Sequence, residues 1–303
     1  MSKIVWVFPG QGSQVVGMGT DLAEIAKEKF VAADDVLGWS ILEQCQSDES
    51  KLANTLYNQP CLYVVECALV DILKNKGMKP DLLAGHSLGE YSALYAADVF
   101  DFVTGLCLVK RRAELMSQAD DGAMAALMGF DRDALDTKLA ATEGVVLAND
   151  NNPGQVVISG TPEAVDTIIA DVKSKRAVKL NVGGAFHSPL MAPASYEFDQ
   201  ILKSVPFKDA NVPVLSNVDP TPSIDGDVLK QRLMQQMTGA VRWREISLNL
   251  PEYDVDTVVE VGPGRVLAGL IKRTCRSLAL KNVATLEQAE AVASALGRVE
   301  VMV

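Results

Sequence analysis

Short apolar runs and amphipathic helical patterns alternate along the first third of the chain. The run Ile4–Phe8 is rich in β-branched and aromatic residues and ends at a Pro-Gly pair, which is typical of a buried strand followed by a turn. A helical pattern opens at Pro60, with Gly77 at the position of a C-terminal cap, and a short strand over 81–84 and a helix over 90–97 follow. This alternation predicts an α/β fold with a largely parallel sheet.

A different rhythm occupies the middle of the chain. Strands are predicted over 123–129, 145–149, 155–159 and 177–182, and helices over 131–141 and 161–175. This βαββαβ order is that of a ferredoxin-like unit. We therefore predict a small ferredoxin-like subdomain, residues 123–185, that is inserted into a larger subdomain made of residues 1–122 and 186–303. The last clear strand of the larger subdomain is expected over 257–261.

The composition excludes several classes of protein. The 303 residues include 39 acidic and 28 basic side chains, a formal net charge of −11, which disfavours a nucleic acid as partner unless a local basic patch exists. No apolar run approaches the roughly 18 residues that a membrane span needs, and the N-terminus lacks a signal-peptide pattern. Five cysteines without a CxxC pair and only two histidines argue against a metal site. We expect a cytoplasmic enzyme or binding protein.

The segment 85–89, Gly-His-Ser-Leu-Gly, fits the nucleophile pattern G-x-S-x-G between a predicted strand and a predicted helix. A strand that turns directly into a helix strains the backbone of the central residue, and glycines on either side relieve the crowding. The Ser87 hydroxyl is then exposed at a helix N-terminus, where free N–H groups favour developing negative charge. The pattern also arises in purely structural turns, but its flanking elements favour a nucleophile.

A serine nucleophile needs a base that accepts its proton. Adjacent side chains in a tight turn point apart, so we interpret His86 as a packing or hydrogen-bonding residue. His187 is then the candidate base, because an imidazole with the ordinary pKa of about 6.5 is mostly neutral at pH 7. No third member can be assigned: an acidic side chain or a backbone carbonyl would orient this imidazole equally well.

The loop over residues 9–14 is rich in glycine, yet it does not fit a nucleotide-binding loop. Val15 stands where G-x-G-x-x-G has its third glycine, and no G-K-[ST] follows. A loop of this kind after the first strand can instead bring one backbone N–H to the serine. With the N–H of Leu88, it would form an oxyanion hole with two donors.

Six motifs follow one another along the chain: Phe8–Gln14 with Gly17–Gly19, Gln59-Pro60, Gly85–Glu90, Arg112 with Met116, Ala185–Ser188, and Glu260–Gly264. Together they resemble the malonyl-CoA:acyl-carrier-protein transacylases, the stand-alone enzymes of bacterial-type fatty-acid synthesis with relatives in polyketide synthases. The resemblance spans essentially the whole chain. It implies an α/β-hydrolase-like large subdomain with an inserted ferredoxin-like one. It also implies transfer of a malonyl group from malonyl-CoA to the phosphopantetheine thiol of acyl carrier protein, through a malonyl-serine.

The resemblance assigns the residues that carry this reaction. Ser87 would be the acylated nucleophile and His187 its base. The backbone N–H groups of Gln11 and Leu88 would form the oxyanion hole.

Three further residues would contact the substrate by the same resemblance. Arg112, 25 residues after the serine, would bind the free carboxylate of malonate, the alternative being a solvated helix face. Met116 follows one helical turn later. Phe186 would select against branched extender units, because polyketide relatives that load malonate tend to carry Phe before this histidine; it would equally serve as a packing residue.

A backbone carbonyl orients the histidine in this family, near a segment that resembles Asn-Pro-Val-Gln-Trp. Residues 239–243 here are Gly-Ala-Val-Arg-Trp, so Arg242 replaces the glutamine. A main-chain carbonyl tolerates that change, and we expect Arg242 to orient His187.

The implied partners are malonyl-CoA and acyl carrier protein, with no cofactor, and nothing in the sequence demands more than a monomer. Acyl carrier proteins are acidic, as this chain is, so electrostatic attraction must be supplied locally. Two basic clusters are candidates for contacts with the carrier protein or the coenzyme A phosphates, the alternative being solvated helix ends. They consist of Lys173, Lys175, Arg176 and Lys179, and of Lys272, Arg273 and Arg276.

Several other functions compete with malonyl transfer for fatty-acid synthesis. A thioester or acyl-carrier hydrolase would use the same serine and histidine, but editing hydrolases of this family tend to lack an arginine at the place of Arg112. A trans-acting polyketide acyltransferase would differ in its carrier protein, and the absence of fused domains favours fatty-acid synthesis. A non-catalytic docking module for carrier protein would need neither Ser87 nor His187.

Overall fold

The computed structural model describes residues 3–296. The strands in this range are β1 (Lys3–Phe8), β2 (Leu82–Gly85), β3 (Ala123–Phe130), β4 (Val145–Asn152), β5 (Gln155–Gly160), β6 (Ser174–Lys179), β7 (Val214–Leu215), β8 (Val255–Val261) and β9 (Ala279–Val283). The α-helices are α1 (Lys27–Leu37), α2 (Ile41–Cys45), α3 (Glu49–Ala53), α4 (Thr55–Asn75), α5 (Gly89–Ala96), α6 (Phe102–Ser117), α7 (Arg132–Ala141), α8 (Pro162–Asp171), α9 (Ala192–Ser204), α10 (Gly226–Gln236), α11 (Trp243–Asn249), α12 (Val266–Thr274) and α13 (Leu286–Leu296).

The larger sheet has the order β7-β2-β1-β8-β9, and all of its strand pairs are parallel. Alternate residues of β1 belong to different cores: Trp6 and Phe8 pack with α4 on one face, whereas Val5 and Val7 pack with α11 and α12 on the other. A strand that is buried on both faces must be apolar throughout, which explains the continuous apolar run at the start of the sequence. The predicted α/β class with a parallel sheet is confirmed.

The smaller sheet is antiparallel, with the order β4-β5-β3-β6, and its strands and helices come from residues 123–179. A separate core that includes Leu135, Val165 and Ile168 joins this sheet to α7 and α8. The βαββαβ order with this strand arrangement is ferredoxin-like, as predicted. The boundaries of the insertion at 123 and 185 stay a prediction.

Backbone and side-chain bonds join β4 of the small sheet to the large subdomain. Asn149 forms a parallel bridge with Val241, whose N–H donates to the Ala148 carbonyl at 2.8 Å and whose carbonyl accepts from the Asp150 N–H at 2.9 Å. The Asp150 carboxylate also binds Arg244 of the larger subdomain, at 2.9 Å. The edge of the small sheet is therefore fixed against the large subdomain, and a cleft lies between them.

Several predicted element boundaries are wrong. Strand β6 spans Ser174–Lys179 rather than 177–182, and β4 continues to Asn152 rather than ending at 149. Helix α4 begins at Thr55 and not at Pro60, because the Asn54 side chain caps it by accepting the N–H of Leu56 at 2.9 Å. Helix α8 ends at Asp171, short of residue 175, because β6 already begins at Ser174, where it pairs with β3.

Residues 3–296 contain neither a candidate membrane-spanning helix nor a candidate metal-binding cluster. In this range no helix has the length and apolar character needed to cross a membrane. The same residues contain no group of three or more histidine, cysteine or acidic side chains that is arranged to hold a metal ion.

Candidate active site

Ser87 lies at a sharp turn between β2 and α5, with a backbone φ of +52°. A residue other than glycine in this left-handed region costs roughly 1–2 kcal/mol, so the surrounding structure must hold it there. The turn packs directly on the end of β1: a Cβ on Gly89 would lie 2.0 Å from the Phe8 carbonyl oxygen. Glycine is therefore required beside the serine, as the G-x-S-x-G pattern predicts.

The structure brings Ser87 and His187 together although 100 positions separate them: the serine Oγ lies 2.8 Å from the imidazole Nε2. The other ring nitrogen, Nδ1, faces two backbone carbonyl oxygens, of Gln236 at 2.9 Å and Gly239 at 3.1 Å. Because both carbonyls can only accept, Nδ1 carries the proton and Nε2 presents its lone pair to the hydroxyl. This is the tautomer that a general base needs.

Burial keeps this imidazole neutral. His187 is 4% exposed, and its pKa is lowered to about 3, first by desolvation and then by the positive charge of Arg112. The imidazole therefore holds a free lone pair on Nε2 throughout the neutral pH range.

Arg242 does not contact His187. Its carbonyl accepts the N–H of Ile246 at 3.0 Å, and its guanidinium binds the Glu245 carboxylate at 2.7 and 2.9 Å and the Val218 carbonyl at 2.9 Å. The carbonyls that reach the histidine come from the last residue of α10 and the turn after it. The final carbonyls of a helix have no partner within the helix, so they are free to accept the imidazole N–H. The expectation that Arg242 orients the histidine is wrong; Gln236 and Gly239 take that position.

Two backbone N–H groups at the turn are free to bind an anion. Within residues 3–296 neither the Gln11 N–H nor the Leu88 N–H donates to a protein acceptor, and Leu88 immediately precedes α5, whose N-terminus favours negative charge. The loop that carries Gln11 closely approaches the turn, since a Cβ on Gly10 would lie 2.5 Å from the His86 carbonyl oxygen. Gln11 and Leu88 line the same cavity as Ser87, and their role as the oxyanion hole stays a prediction.

Arg112 is almost fully buried, at 1% exposure, although it lies on α6 beside the half-exposed Arg111. Its Nη1 donates to Gln59 Oε1 at 2.6 Å, and its Nη2 donates to Ser87 Oγ at 3.0 Å and to Gln236 Oε1 at 3.1 Å. All three partners are neutral oxygens, so the guanidinium is held without a bound carboxylate. The solvated helix face considered as the alternative applies to Arg111, which pairs with two glutamates.

Glu90 is a buried acid that interacts electrostatically with this arginine; it is 1% exposed, and its pKa is raised by desolvation. Its Oε2 accepts from Gln236 Nε2 at 2.7 Å and from the Asn217 N–H at 3.1 Å. The Gln236 amide therefore stands between Glu90 and Arg112, binding one through its nitrogen and the other through its oxygen.

A cavity of about 240 Å³ opens above these groups, between the two subdomains. Met116 and Phe186 belong to its lining, as expected for substrate contacts, and they are 3% and 6% exposed. His86 also borders the cavity, but its Nε2 lies 2.9 Å from Asn151 Oδ1 and its ring packs on Trp243, in line with a structural role.

The two basic clusters are exposed and lie in different surroundings. Arg273, at the end of α12, donates to Gln155 at 3.4 Å, and Gln155 lines the cavity. Lys179, at the end of β6, instead forms an ion pair of 2.6 Å with Asp166 on α8. The contact with the cavity wall thus favours the cluster on α12.

Sequence reasoning did not single out three buried polar residues of the site: Glu90, Asn217 and Gln236. Glu90 lies inside one of the recognised motifs, and its place one turn after the serine was an available signal. Asn217 and Gln236 lie in segments without a hydrophobic or catalytic pattern, and only the arrangement of β7 and α10 beside β2 brings them to the turn.

Comparison with known proteins agrees with this geometry. Residues 5–299 match the family model described as acyl transferase domain. The chain is 60% identical over 287 residues to the malonyl CoA-acyl carrier protein transacylase of Synechocystis sp., a match that covers 94% of this chain and 98% of the relative. The crystal structure of the Synechocystis malonyl-CoA:ACP transacylase superimposes with a TM-score of 0.94 at 59% identity, over 95% and 99% of the two chains.

A second solved structure is described as a type II PKS acyl-carrier protein in complex with its malonyl-transacylase. It has a TM-score of 0.92 and 36% identity, over 97% of this chain and all of the other. The match to the family model and the identity to the Synechocystis relative each cover most of the chain. The chain therefore belongs to the acyl transferase domain family, and the protein is an acyltransferase.

Proposed function

We propose that the protein transfers the malonyl group of malonyl-CoA to the phosphopantetheine thiol of acyl carrier protein and so supplies malonyl-ACP for fatty-acid synthesis. One observation carries the proposal: Ser87 Oγ lies within hydrogen-bond distance of both the His187 imidazole and the Arg112 guanidinium. A nucleophile, a base and a fixed positive charge at one atom suit an acyl group that bears its own carboxylate.

In the first half-reaction Ser87 Oγ attacks the thioester carbonyl while its proton passes to His187 Nε2. The N–H groups of Gln11 and Leu88 bind the oxyanion of the tetrahedral intermediate. The carbon–sulfur bond then breaks, and the proton on His187 passes to the sulfur of coenzyme A, which leaves a malonyl ester on the serine. The backbone carbonyls on Nδ1 stabilise the imidazolium that forms in between.

The second half-reaction reverses these steps with a new thiol. Coenzyme A leaves, and the phosphopantetheine thiol of the carrier protein enters the same cavity and gives its proton to His187. Its sulfur attacks the ester carbonyl, the carbon–oxygen bond to the serine breaks, and the proton returns to Ser87 Oγ. The cycle is ping-pong, needs no cofactor and is completed by one chain, which supports a monomer as the working unit. A cytoplasmic location stays a prediction.

Arg112 is proposed to bind the free carboxylate of the malonyl group. A malonyl ester on Oγ places that carboxylate two carbon–carbon bonds beyond the ester carbonyl, beside a guanidinium whose side-chain amide partners are neutral. A charge-assisted pair of this kind contributes about 1.5–3 kcal/mol. Malonyl groups are thereby favoured over acetyl groups, which form the same thioester but have no free carboxylate.

Phe186 and Met116 are proposed to limit the size of the acyl group. Both line the cavity and both are buried in the main core, so a methyl branch on the malonyl carbon would displace packed side chains. Steric rejection of one methyl group is worth only about 1–3 kcal/mol. The preference for malonyl over methylmalonyl groups is therefore partial.

Acylation of Ser87 is the first prediction and tests the function itself. Incubation with radiolabelled malonyl-CoA should give a stable covalent label on the wild-type chain, which moves to carrier protein when that is added. Ser87→Ala should take up no label because the acyl acceptor is gone. Rapid release of free malonate without carrier protein would instead support the hydrolase, and an unlabelled wild-type chain would support a docking module.

Removal of the guanidinium is the second prediction. Arg112→Ala should lower kcat/KM for malonyl-CoA by about 10- to 150-fold, the equivalent of 1.5–3 kcal/mol, while kcat/KM for acetyl-CoA falls less or rises. Arg111→Ala is the matched control on the same helix, and its selectivity should equal that of wild type. Unchanged malonyl loading by Arg112→Ala contradicts the role given to this side chain.

The protonation state of His187 gives a third prediction. Since its pKa is lowered to about 3, only roughly 1% of the imidazole should be protonated at pH 5. NMR titration is well suited because the chain has two histidines, and His187→Ala identifies the signal. Arg112→Gln should raise the pKa of His187, because it removes a positive charge that opposes protonation. Arg111→Gln should leave the pKa of His187 unchanged. Titration of the folded wild-type His187 near 6.5 contradicts the prediction.

Docking of the carrier protein gives a fourth prediction, which concerns the basic cluster on α12. Lys272→Glu with Arg273→Glu should raise KM for an acidic carrier protein by about 10-fold at low ionic strength, and added salt should reduce the difference. The same double reversal at Lys173 and Lys175 is the control and should change KM less. Equal effects of the two pairs contradict the assignment to α12.

A further inference from the structure

Asn217 is a buried residue that spans the turn of the nucleophile. It is the second residue after β7 and has no exposed surface. Its Oδ1 accepts the N–H of Ser87 at 2.7 Å, and its Nδ2 donates to the carbonyl of Gly85 at 2.5 Å. One side-chain amide therefore binds the last residue of β2 and the serine two positions later.

This bridge fixes the strained part of the backbone. Ser87 has a φ of +52°, and a residue in the left-handed region keeps that conformation only when its neighbours hold it. Asn217 holds the N–H of Ser87, and Gln236 Nε2 holds the carbonyl of the same residue at 2.9 Å. Both peptide groups of the serine are thus tied to side chains from other segments, which fixes the direction of its Cβ–Oγ bond.

The same bond decides which N–H groups can serve the oxyanion. The Ser87 N–H is occupied by Asn217, so it does not compete for the developing negative charge. The free donors that remain at the turn are those of Leu88 and of the neighbouring Gln11 loop. Asn217 itself does not line the cavity, so its side chain acts on the nucleophile rather than on the bound substrate.

We propose that Asn217 is a positioning residue for acylation, because its amide bridge across Gly85 and Ser87 aims the serine hydroxyl at the thioester carbonyl and leaves the oxyanion hole to Gln11 and Leu88. The inference rests on the proposed function, in which Ser87 Oγ is the atom that becomes acylated. It predicts that loss of the bridge lowers the rate of acylation and leaves the affinity for malonyl-CoA unchanged.

Rapid-quench acylation with radiolabelled malonyl-CoA tests the proposal. Asn217→Ala removes both bonds, and Asn217→Asp keeps the shape and the acceptor but replaces the donor to Gly85 with an oxygen. We expect the acylation rate at saturating malonyl-CoA to fall by about 100-fold in the first variant and by at least about 10-fold in the second. The concentration for half-saturation should stay within about twofold of wild type.

A second measurement separates positioning from folding. The rate at which phenylmethylsulfonyl fluoride sulfonylates Ser87 should fall in parallel, because this reagent needs the aligned hydroxyl but not the malonyl site. Asn282→Ala is the matched control: it removes a bond of 3.3 Å from a side-chain amide to the Glu260 carbonyl in the same sheet, and both rates should equal those of wild type. Melting temperatures of all variants identify any that are unfolded.

The outcomes distinguish the inference from the function on which it rests. If wild type takes up no malonyl label, the proposed function fails. If wild type is labelled and either folded Asn217 variant acylates at the wild-type rate, or loses activity only through a higher half-saturation concentration, the positioning role is overturned.

Discussion

The hydrogen bond of 2.8 Å between Ser87 Oγ and His187 Nε2 is the contact on which the site depends. Both residues have backbones in the left-handed region, with φ of +52° and +58°, and each such residue costs roughly 1–3 kcal/mol. The chain therefore does not reach this arrangement through local preference. It is imposed by the parallel sheet, which supports the serine turn from below, and by α10, whose final carbonyls hold the imidazole from the side.

The electrostatics of the site follow from one buried positive charge. Arg112 donates to the neutral amides of Gln59 and Gln236 and to the serine hydroxyl, and none of the carboxylates among residues 3–296 binds it directly. Burial first, and this positive charge second, lower the pKa of His187 and keep its imidazole unprotonated. The same charge thus helps His187 to accept a proton, and it is also the group proposed to bind the carboxylate of the acyl group.

The sequence predicted the parts of the protein that repeat a local pattern. The turn of Ser87 was predictable because a strand, two glycines and a helix follow one another in the sequence. The ferredoxin-like subdomain was predictable because apolar residues recur with one period in strands and another in helices. The contacts of Gln236 and Asn217 were not predictable, since a buried polar side chain leaves no periodic signal in the sequence. Its hydrogen-bond partner depends on which strands and helices lie next to each other in the fold. The error over Arg242 has the same origin: a motif located the right segment, but the carbonyls that bind the histidine belong to Gly239, at the start of that segment, and to Gln236, the last residue of α10.

The cleft between the subdomains is where one site reacts with two thiols, those of coenzyme A and of the carrier-protein arm. Bonds from Val241 and Arg244 join β4 to the large subdomain, and the cleft lies between the two subdomains. Coenzyme A and the carrier-protein arm share the phosphopantetheine thiol end, and a cleft shaped for that common part admits either one. Since the first thiol must leave before the second enters, the acyl group has to be stored on the protein between the two events. A site with one nucleophile and one neutral base, entered by the two thiols in turn, is therefore suited to transfer through a covalent serine ester rather than through a complex of both substrates.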